Sequence, residues 1–338
     1  MKKKLSFLAL IPLLLYFFVS GECLAQTAIH KSSQRFKVVI DNDFCGDPDG
    51  LFQLAHQLLC STCDICAIVG SCENGAQPGQ AMQSCNKARK VLELLGMKGK
   101  AKVVQGADHN LSTTCKPVVS DGAKAIVELA RECTAEHPLY VLCGGSLSDI
   151  ASAHLIDPSI DDRVVLVWIG GQEYDTVSTN LPPGASKVEY NLGLSIPAAQ
   201  VVFNESRIRI WQVPRNAYRQ CLYSIGEMET KLRSCGPIGE YLLHEVNHFL
   251  GQMEQAVQPM GEVYILGDSP LVLLSALQCG FNADPSSSQY RLLPCPIIKS
   301  DGSYGESQAG RPIRVYEHLD TRLMFADMEA KLNQLKNK

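Results

Sequence analysis

Residues 36–50 read FKVVIDNDFCGDPDG, and their pattern sets the architecture expected for the rest of the chain. They open on an apolar, mostly β-branched run, FKVVID (36–41), which is typical of a buried strand. The run then turns acidic, with four carboxylates in nine residues: Asp41, Asp43, Asp47 and Asp49. An apolar pattern at helical spacing follows directly, at 50–60. A buried strand, a short loop and an amphipathic helix form the first part of a strand–helix–strand unit.

The same alternation continues downstream. Further apolar strands are predicted at 64–70, 102–106, 139–145 and 163–171, and helices at 86–96, 121–133 and 147–156. Strands that are apolar throughout belong in a sheet that helices cover on both faces. The sequence therefore predicts a single-domain α/β fold with a mostly parallel, Rossmann-like sheet flanked by helices. Because ligands of such sheets bind at the carboxyl ends of the strands, the acidic loop lies where a site is expected.

Composition limits the classes of protein to consider. The chain has 338 residues, of which 46% are hydrophobic and 20% charged, a balance that excludes wholesale disorder. Thirty-one Lys and Arg stand against 35 Asp and Glu, and the formal net charge is −4. This absence of a basic excess argues against a protein that binds nucleic acid.

The first 25 residues have the pattern of a secretory signal peptide. Lysines at 2–4 precede an apolar run from Leu5 to Val19, and the small residues Cys23 and Ala25 stand before the expected cleavage point. The apolar run has about 15 residues, whereas a helix that spans a membrane needs about 20. We expect an exported protein, periplasmic or secreted, with no membrane attachment after cleavage and with residues 26–338 as one domain.

Fourteen cysteines are many for such a chain. Cys60, Cys63 and Cys66 have the C-x2-C-x2-C spacing of iron–sulfur ligands, but the fourth cysteine of that pattern is missing at its usual distance. Cys66 also falls within a predicted strand. Buried thiols, with their pairing left open, are therefore preferred to a metal cluster.

The acidic loop itself indicates a cation site. Crowded carboxylates raise each other's pKa unless a cation neutralises them. Carboxylate oxygens on a flexible loop suit the hard cations Ca²⁺ and Mg²⁺. A solvated acidic turn is the alternative, which the position at a strand end disfavours.

The stretch VIDNDFCGDPDGLFQLAHQLL (39–59) resembles the amino-terminal signature of the inosine–uridine preferring nucleoside hydrolase family. Later segments agree with that family in the same order. They are CNKARKVLELLG (85–96) with KVVQGA (102–107), LYVLCGGSLSDIASA (139–153) with VVLVWIGG (164–171), VEYNLGLSIPAAQVVF (188–203) and GDSPLVLLSAL (267–277). The resemblance covers roughly residues 36–325.

The resemblance implies a calcium-dependent hydrolase that splits the N-glycosidic bond of ribonucleosides into base and ribose, as in purine or pyrimidine salvage. Ca²⁺ would bind the ribose hydroxyls and a water, and Asp43 would deprotonate this water as the general base. The implied metal ligands are Asp43, Asp47, Asp49, a backbone carbonyl at Ser148, and Asp268. The implied substrate contacts are Asp47, Asn180, Glu189 and Asn191. The family tendency is toward homodimers or tetramers.

Two departures from the family pattern bear on these expectations. The adjacent aspartate pair of the family is replaced by Asp47-Pro48-Asp49, so either aspartate could bind the metal and the other the sugar. Gly267 stands where a histidine often precedes the late aspartate, so that acid for the leaving base is absent. A non-catalytic protein that binds nucleosides or sugars is therefore a further alternative.

A competing motif is His244-Glu245-Val246-Asn247-His248, which matches H-E-x-x-H. On a helix, the two histidines could bind Zn²⁺ with Glu245 as the base of a hydrolase or peptidase. That interpretation leaves the acidic loop unexplained. The histidines could instead be ordinary helix residues, or His248 could reach the sugar site and contact the leaving base.

Two further segments carry weaker signals. Residues 211–216 follow the apolar stretch RIRI (207–210) and predict another strand end with polar groups. Tyr218, just beyond, has no clear role. Residues 301–311 are predicted to form an exposed or active-site loop.

Overall fold

Strand β1 (Phe36–Asn42) lies inside an eight-stranded sheet, as its apolar sequence predicts. The computed structural model of the protein describes residues 36–174, 186–256, 261–281 and 285–337. The predicted signal peptide lies outside these residues. The described residues form one compact unit. The other strands of the large sheet are β2 (Cys63–Gly70), β3 (Lys102–Gln105), β4 (Leu139–Cys143), β5 (Val164–Ile169), β6 (Arg209–Val213), β9 (Gln289–Ile298) and β10 (Tyr304–His318). A separate antiparallel pair consists of β7 (Leu222–Ser224) and β8 (Val263–Ile265).

Helices follow most of these strands. The first four are α1 (Asp49–Leu58), α2 (Gln80–Leu94), α3 (Asp121–Arg131) and α4 (Ser148–Ile156). The others are α5 (Tyr190–Leu194), α6 (Ile196–Gln200), α7 (Arg215–Tyr218), α8 (Ile225–Leu232), α9 (Pro237–Ala256), α10 (Pro270–Ala276) and α11 (Thr321–Asn333). Short 3₁₀ or π turns are Pro158–Arg163, Val201–Glu205 and Gln334–Asn337.

The strand order in the sheet is β3-β2-β1-β4-β5-β6-β10-β9. All neighbours run parallel except β9, which is antiparallel to β10. The first six strands have the 3-2-1-4-5-6 order of the Rossmann fold, which confirms the predicted α/β class. The chain reverses its direction of travel across the sheet between β1 and β4. A crevice therefore opens at the carboxyl ends of these two strands.

Two hydrophobic layers hold the sheet from opposite faces. Val38 and Ile40 point into one layer and Val39 into the other, as period-two alternation requires. Every residue of α1 is buried, including the polar residues Asp49, Gln53, His56 and Gln57. The helices thus fix the ends of the central strands, where the site lies.

The C-terminal part of the sheet differs from the sequence prediction. Residues 304–311 are part of β10, which forms a hairpin with β9, rather than a free loop. Strand β9 contains Pro294 and Pro296, and it is tolerated as a strand because it lies at the edge of the sheet. Trp211 lies within β6 and not after it, because the strand begins at Arg209.

The cysteines and hydropathy complete the description. Cys60, Cys63 and Cys66 are free thiols, and Cys66 lies in β2 as expected. No helix among the described residues combines the length and apolar character that crossing a membrane requires.

Candidate active site

The crevice between β1 and β4 holds a cavity of about 410 Å³. Its floor is acidic and its rim is aromatic and aliphatic. Three of the four carboxylates predicted from the acidic loop line it, and Asp268 joins them from the segment before α10. The lining residues are Asp43, Asp47, Asp49, Gly144, Ile169, Glu189, Tyr190, Asn191, Tyr218, Leu222, Val263, Tyr264, Ile265, Gly267 and Asp268.

Hydrogen bonds tie Asp268 to the first strand end. The side chain of Asn42, the last residue of β1, donates to Asp268 Oδ2 at 2.8 Å. The backbone N–H of Asp268 donates to Asp49 Oδ2 at 3.1 Å. Residues 226 positions apart in the chain are thereby held as one acidic group.

The turn after β4 packs tightly against this group. A Cβ atom added at Gly144 would lie 2.4 Å from Asn42 Nδ2 and 2.6 Å from Asp268 Oδ2. One added at Gly145 would lie 3.1 Å from the carboxyl carbon of Asp43. Two glycines are therefore needed for the backbone to approach the carboxylates so closely.

Burial and mutual repulsion dominate the electrostatics. Asp49 and Asp268 are buried, Asp43 is partly buried, and Asp47 is exposed. Burial, and then the charges of Asp268 and Asp47, raise the pKa of Asp43 well above its usual value. The same two effects raise the pKa of Asp49, and burial chiefly raises the pKa of Asp268 to about 8. The lining contains no lysine or arginine, so no cationic side chain of the cavity neutralises these carboxylates.

Glu189 is buried at the other wall of the cavity and caps helix α5. It accepts hydrogen bonds from the backbone N–H groups of Gly171, Asn191 and Leu192 and from the Tyr218 hydroxyl, at 2.7–3.1 Å. A carboxylate offers about four acceptor positions. The four donors use all of them, so a ribose hydroxyl would have to replace one donor.

Asn191 joins two strand ends. Its side-chain amide donates to the carbonyl of Gly144 at 3.0 Å and to that of Ile169 at 2.8 Å. These residues directly follow β4 and end β5. The amide nitrogen is therefore committed to the scaffold, and the rest of the side chain lines the cavity.

Tyrosines and aliphatic residues form the rim. Tyr264 donates to Asp47 Oδ2 at 2.9 Å, and Tyr190 donates to Glu73 Oε1 at 3.0 Å. Leu222, Val263 and Ile265 lie on the β7–β8 pair and give the rim an apolar side. The mouth of the cavity is thus apolar and aromatic while its floor is acidic.

Some predicted site residues lie away from the cavity. Ser148 begins helix α4 behind the turn, and its hydroxyl bonds to Leu111 and Asn110. Gly144, and not Ser148, is the turn residue that lines the cavity. Asn180 lies outside the described residues.

The H-E-x-x-H motif lies on helix α9, as predicted, but not in the cavity. His244 and His248 are exposed and stack on each other, with their rings 6.2 Å apart. Glu245 pairs with Lys87 at 2.7 Å. Within the described ranges, neither histidine belongs to a group of three metal-binding side chains. His248 is therefore placed neither to hold zinc with its neighbours nor to line the cavity.

Sequence reasoning did not assign Asn42, Tyr218 or Tyr264 to the site. Asn42 stands between two aspartates at a strand end, which is the signal that could have found it. Tyr218 follows β6, where a strand end with polar groups was expected. Tyr264 comes from a three-residue strand that has no clear sequence signature.

Comparison with known proteins agrees with this geometry. The sequence model of the inosine-uridine preferring nucleoside hydrolases matches residues 38–320. A search among curated proteins finds no significant match.

Solved structures share the fold at low sequence identity. A purine-preferring ribonucleoside hydrolase from Gardnerella vaginalis is similar with a TM-score of 0.71 and 16% identity, over 89% of this chain and 99% of that one. An inosine-uridine preferring nucleoside hydrolase from Bacillus anthracis has a TM-score of 0.64 and 17% identity, over 88% and 99%. A type III effector, XopQ, solved with adenosine diphosphate ribose, has a TM-score of 0.60 and 16% identity, over 90% and 96%. The chain belongs to the inosine-uridine preferring nucleoside hydrolase family, whose members hydrolyse N-ribosyl bonds.

Proposed function

We propose that this protein hydrolyses the N-glycosidic bond of ribonucleosides with the help of Ca²⁺ held by Asp43, Asp49 and Asp268. The observation that carries the proposal is the convergence of these carboxylates in a cavity whose lining has no cationic side chain. Leaving several buried carboxylates ionised without a partner is costly. A bound cation removes that cost. It would bind at the acidic loop, where the resemblance to the family places the metal and the attacking water.

The donor set fits a hard divalent cation. All candidate ligands are carboxylate oxygens, which suit Ca²⁺ and Mg²⁺ better than the softer transition metals. Asp47 also lies at the cavity, with one oxygen engaged by Tyr264. Asp49 accepts from the backbone of Asp268 through one oxygen, which leaves its other oxygen for a cation. When bound there, the cation would hold the ribose hydroxyls and lower the pKa of the attacking water.

Asp43 is the group proposed to take the proton from that water. It stands at the end of β1 against the Gly144–Gly145 turn, fixed by elements on both sides. Its partly buried carboxyl has a raised pKa without a cation, and a neighbouring positive charge brings the carboxylate back. It can then act as a base near neutral pH.

Glu189 and Asn191 are proposed to orient the sugar. Both line the cavity, and both are fixed by hydrogen bonds to strand ends. Since Glu189 has no unused acceptor position, sugar binding is expected to displace the Tyr218 hydroxyl, its one side-chain donor.

The rim determines what leaving group fits. Leu222, Val263 and Ile265 offer apolar contact to a planar base. Gly267 provides no acid in the position of the usual histidine. Burial raises the pKa of the Tyr218 hydroxyl, so once the sugar has displaced this hydroxyl from Glu189 it stays protonated and can donate to a base nitrogen.

The proposal is tested by assaying release of base from a panel of purine and pyrimidine ribonucleosides, with and without a chelator. Turnover of at least one nucleoside is expected, together with its loss in chelator and recovery with added Ca²⁺. Turnover that is unchanged in excess chelator would contradict the cation mechanism. Binding of nucleosides without any product would favour a non-catalytic binder.

The variant Asp43→Asn tests the proposed role of Asp43 as the general base. Loss of a general base costs roughly 10²- to 10⁴-fold in rate, and we expect at least this loss with the fold retained by circular dichroism. His248→Ala serves as the control, because its side chain lies outside the cavity. Near-normal turnover of Asp43→Asn would contradict its role.

We also propose that the protein acts outside the cytoplasm, on the basis of the signal-peptide pattern in residues 1–25. N-terminal sequencing of the protein from its native source tests this, and a mature N-terminus at Gln26 is expected. Retention of Met1 in the mature protein would contradict it.

A further inference from the structure

A second group of metal-binding side chains lies at the far end of helix α1, away from the cavity. It consists of His56 on α1, Cys60 just after that helix, and Asp327 on α11. Their ligand atoms all lie within 4.8 Å of one another, and His56 and Cys60 are buried. His56 is seven residues from Asp49, which places the two groups roughly 10 Å apart along the helix.

The sequence brings these side chains together through helical spacing. His56 and Cys60 are four residues apart, and the backbone N–H of Cys60 still bonds to Gln57 at 3.0 Å, so the chain makes another turn after α1. Side chains at this spacing lie on one face. Helix α11 then packs Asp327 against that face, with His56 Nε2 2.7 Å from Asp327 Oδ2.

The ammonium group of Lys331 contacts two of these three side chains. Lys331, one turn after Asp327 on α11, contacts both the Asp327 carboxylate and Cys60 Sγ, the latter at 3.2 Å. Its side chain is 21% exposed, so it can turn outward to solvent. Nδ1 of His56 is buried and has no hydrogen-bond partner among the described residues.

We propose that His56, Cys60 and Asp327 bind a divalent transition metal of the zinc class, which takes the place of the Lys331 ammonium group. Imidazole nitrogen, thiolate sulfur and carboxylate oxygen together form a usual ligand set for Zn²⁺, and a water completes a tetrahedron. The thiol of Cys60 loses its proton to solvent as the metal binds. The carboxylate and thiolate then balance the two metal charges, as Lys331 balances the single charge of Asp327 without metal.

The same residues make clear why this site differs from the catalytic one. The cavity offers only oxygen ligands and suits Ca²⁺, whereas this group offers nitrogen and sulfur. A metal here would join α1 to α11 and so fix the helix that begins at the acidic loop. Its binding does not depend on nucleoside turnover.

The test is Co²⁺ titration of the full-length mature protein with Ca²⁺ in excess, followed by the thiolate-to-cobalt charge-transfer absorption, and by competition with Zn²⁺. One cobalt per chain with this absorption is expected in the wild type. Cys60→Ser should abolish the absorption. Asp327→Asn removes a metal ligand, so it should weaken metal binding by more than the roughly tenfold loss seen when a residue that only hydrogen-bonds to a ligand is replaced.

Lys331→Met separates a metal site from a purely structural cluster. It removes the competing cation, so it should tighten Co²⁺ and Zn²⁺ binding, while a structural role would predict only a less stable protein. Cys115→Ser, at an exposed cysteine outside the group, and His244→Ala are the controls and should change nothing. The proposal is overturned if neither the wild type nor Lys331→Met shows the absorption, or if His244→Ala and not Cys60→Ser removes zinc.

Discussion

At the scale of single residues, Glu189 shows how a site side chain can be committed to the scaffold. Two of its donors are backbone N–H groups that begin helix α5, and a third belongs to Gly171 after β5. The resemblance to the family implies a sugar contact for Glu189, and the structure adds that its carboxylate bonds to three backbone N–H groups in the cavity wall. Its identity as a carboxylate, rather than an amide, follows from facing donors on every side.

We therefore expect Glu189→Gln to lower stability more than Tyr218→Phe. Glutamine turns one oxygen into an amide donor that faces N–H groups, and each buried group left unsatisfied costs about 1–3 kcal/mol. Tyr218→Phe removes a single hydrogen bond, which contributes about 1 kcal/mol. Urea unfolding of both variants and the wild type measures the difference, and an equal stability for the three proteins would refute it.

At the scale of secondary-structure elements, the sequence predicts the first five strands and the four helices between them. Their ends agree within two residues, except that α2 begins at Gln80, six residues before the predicted start. The strands are apolar runs and the helices carry apolar residues at helical spacing, so a local pattern identifies them. The β9–β10 hairpin was missed because Pro294, Pro296 and Gly305 give it the composition of a loop. Its pairing depends on the edge of the sheet that β6 provides, which no local pattern records.

Close approach between α2 and β2 can be tested at Gly70. A Cβ atom at this position would lie 2.5 Å from the backbone nitrogen of Cys85 and 2.9 Å from its sulfur. Gly70→Ala should therefore destabilise the protein by about 1–3 kcal/mol, because helix and strand must move apart. Thermal unfolding measures this change.

Gly251→Ala is the matched control on helix α9. A Cβ there meets nothing within 4 Å, and alanine in a helix interior is favoured over glycine by about 0.5–1 kcal/mol. Both substitutions replace glycine by alanine, but they should change the free energy of unfolding in opposite directions: Gly70→Ala should lower it and Gly251→Ala should raise it. A stabilising Gly70→Ala would show that the contact does not constrain the pair.

At the scale of the whole molecule, the site is a consequence of topology. Asn42, Gly144 and Ile169 come from three successive neighbours in the sheet, and parallel strands bring their carboxyl ends to one edge. This is why the sequence could predict that the acidic loop lies at the site. Tyr264 and Gly267 come from a segment outside the large sheet, and their approach to Asp47 and Asp49 required the structure.

The acidic floor also links the stability of the whole molecule to pH. The pKa values of Asp43, Asp49 and Asp268 are higher in the folded protein than in the unfolded chain, where they are about 4. The folded state then binds more protons, so these groups lower stability as pH rises from about 4. For Asp268 the loss continues up to its folded pKa of about 8.

A cation that binds the folded carboxylates should reverse this effect. Because protons and the cation compete for the same oxygens, Ca²⁺ is expected to raise the melting temperature little near pH 5 and much more near pH 8. A hundredfold excess of Ca²⁺ over its dissociation constant corresponds to about 2.7 kcal/mol of added stability.

Asp268→Asn removes one ligand and one titrating group, so it should reduce the Ca²⁺ effect at pH 8 and stabilise the chelated protein there. Asp64→Asn, at an exposed position outside the cavity, should behave as the wild type. Differential scanning calorimetry in chelator and in Ca²⁺ at both pH values decides it, since a Ca²⁺ shift that is equal at the two pH values would mean that the ion binds elsewhere.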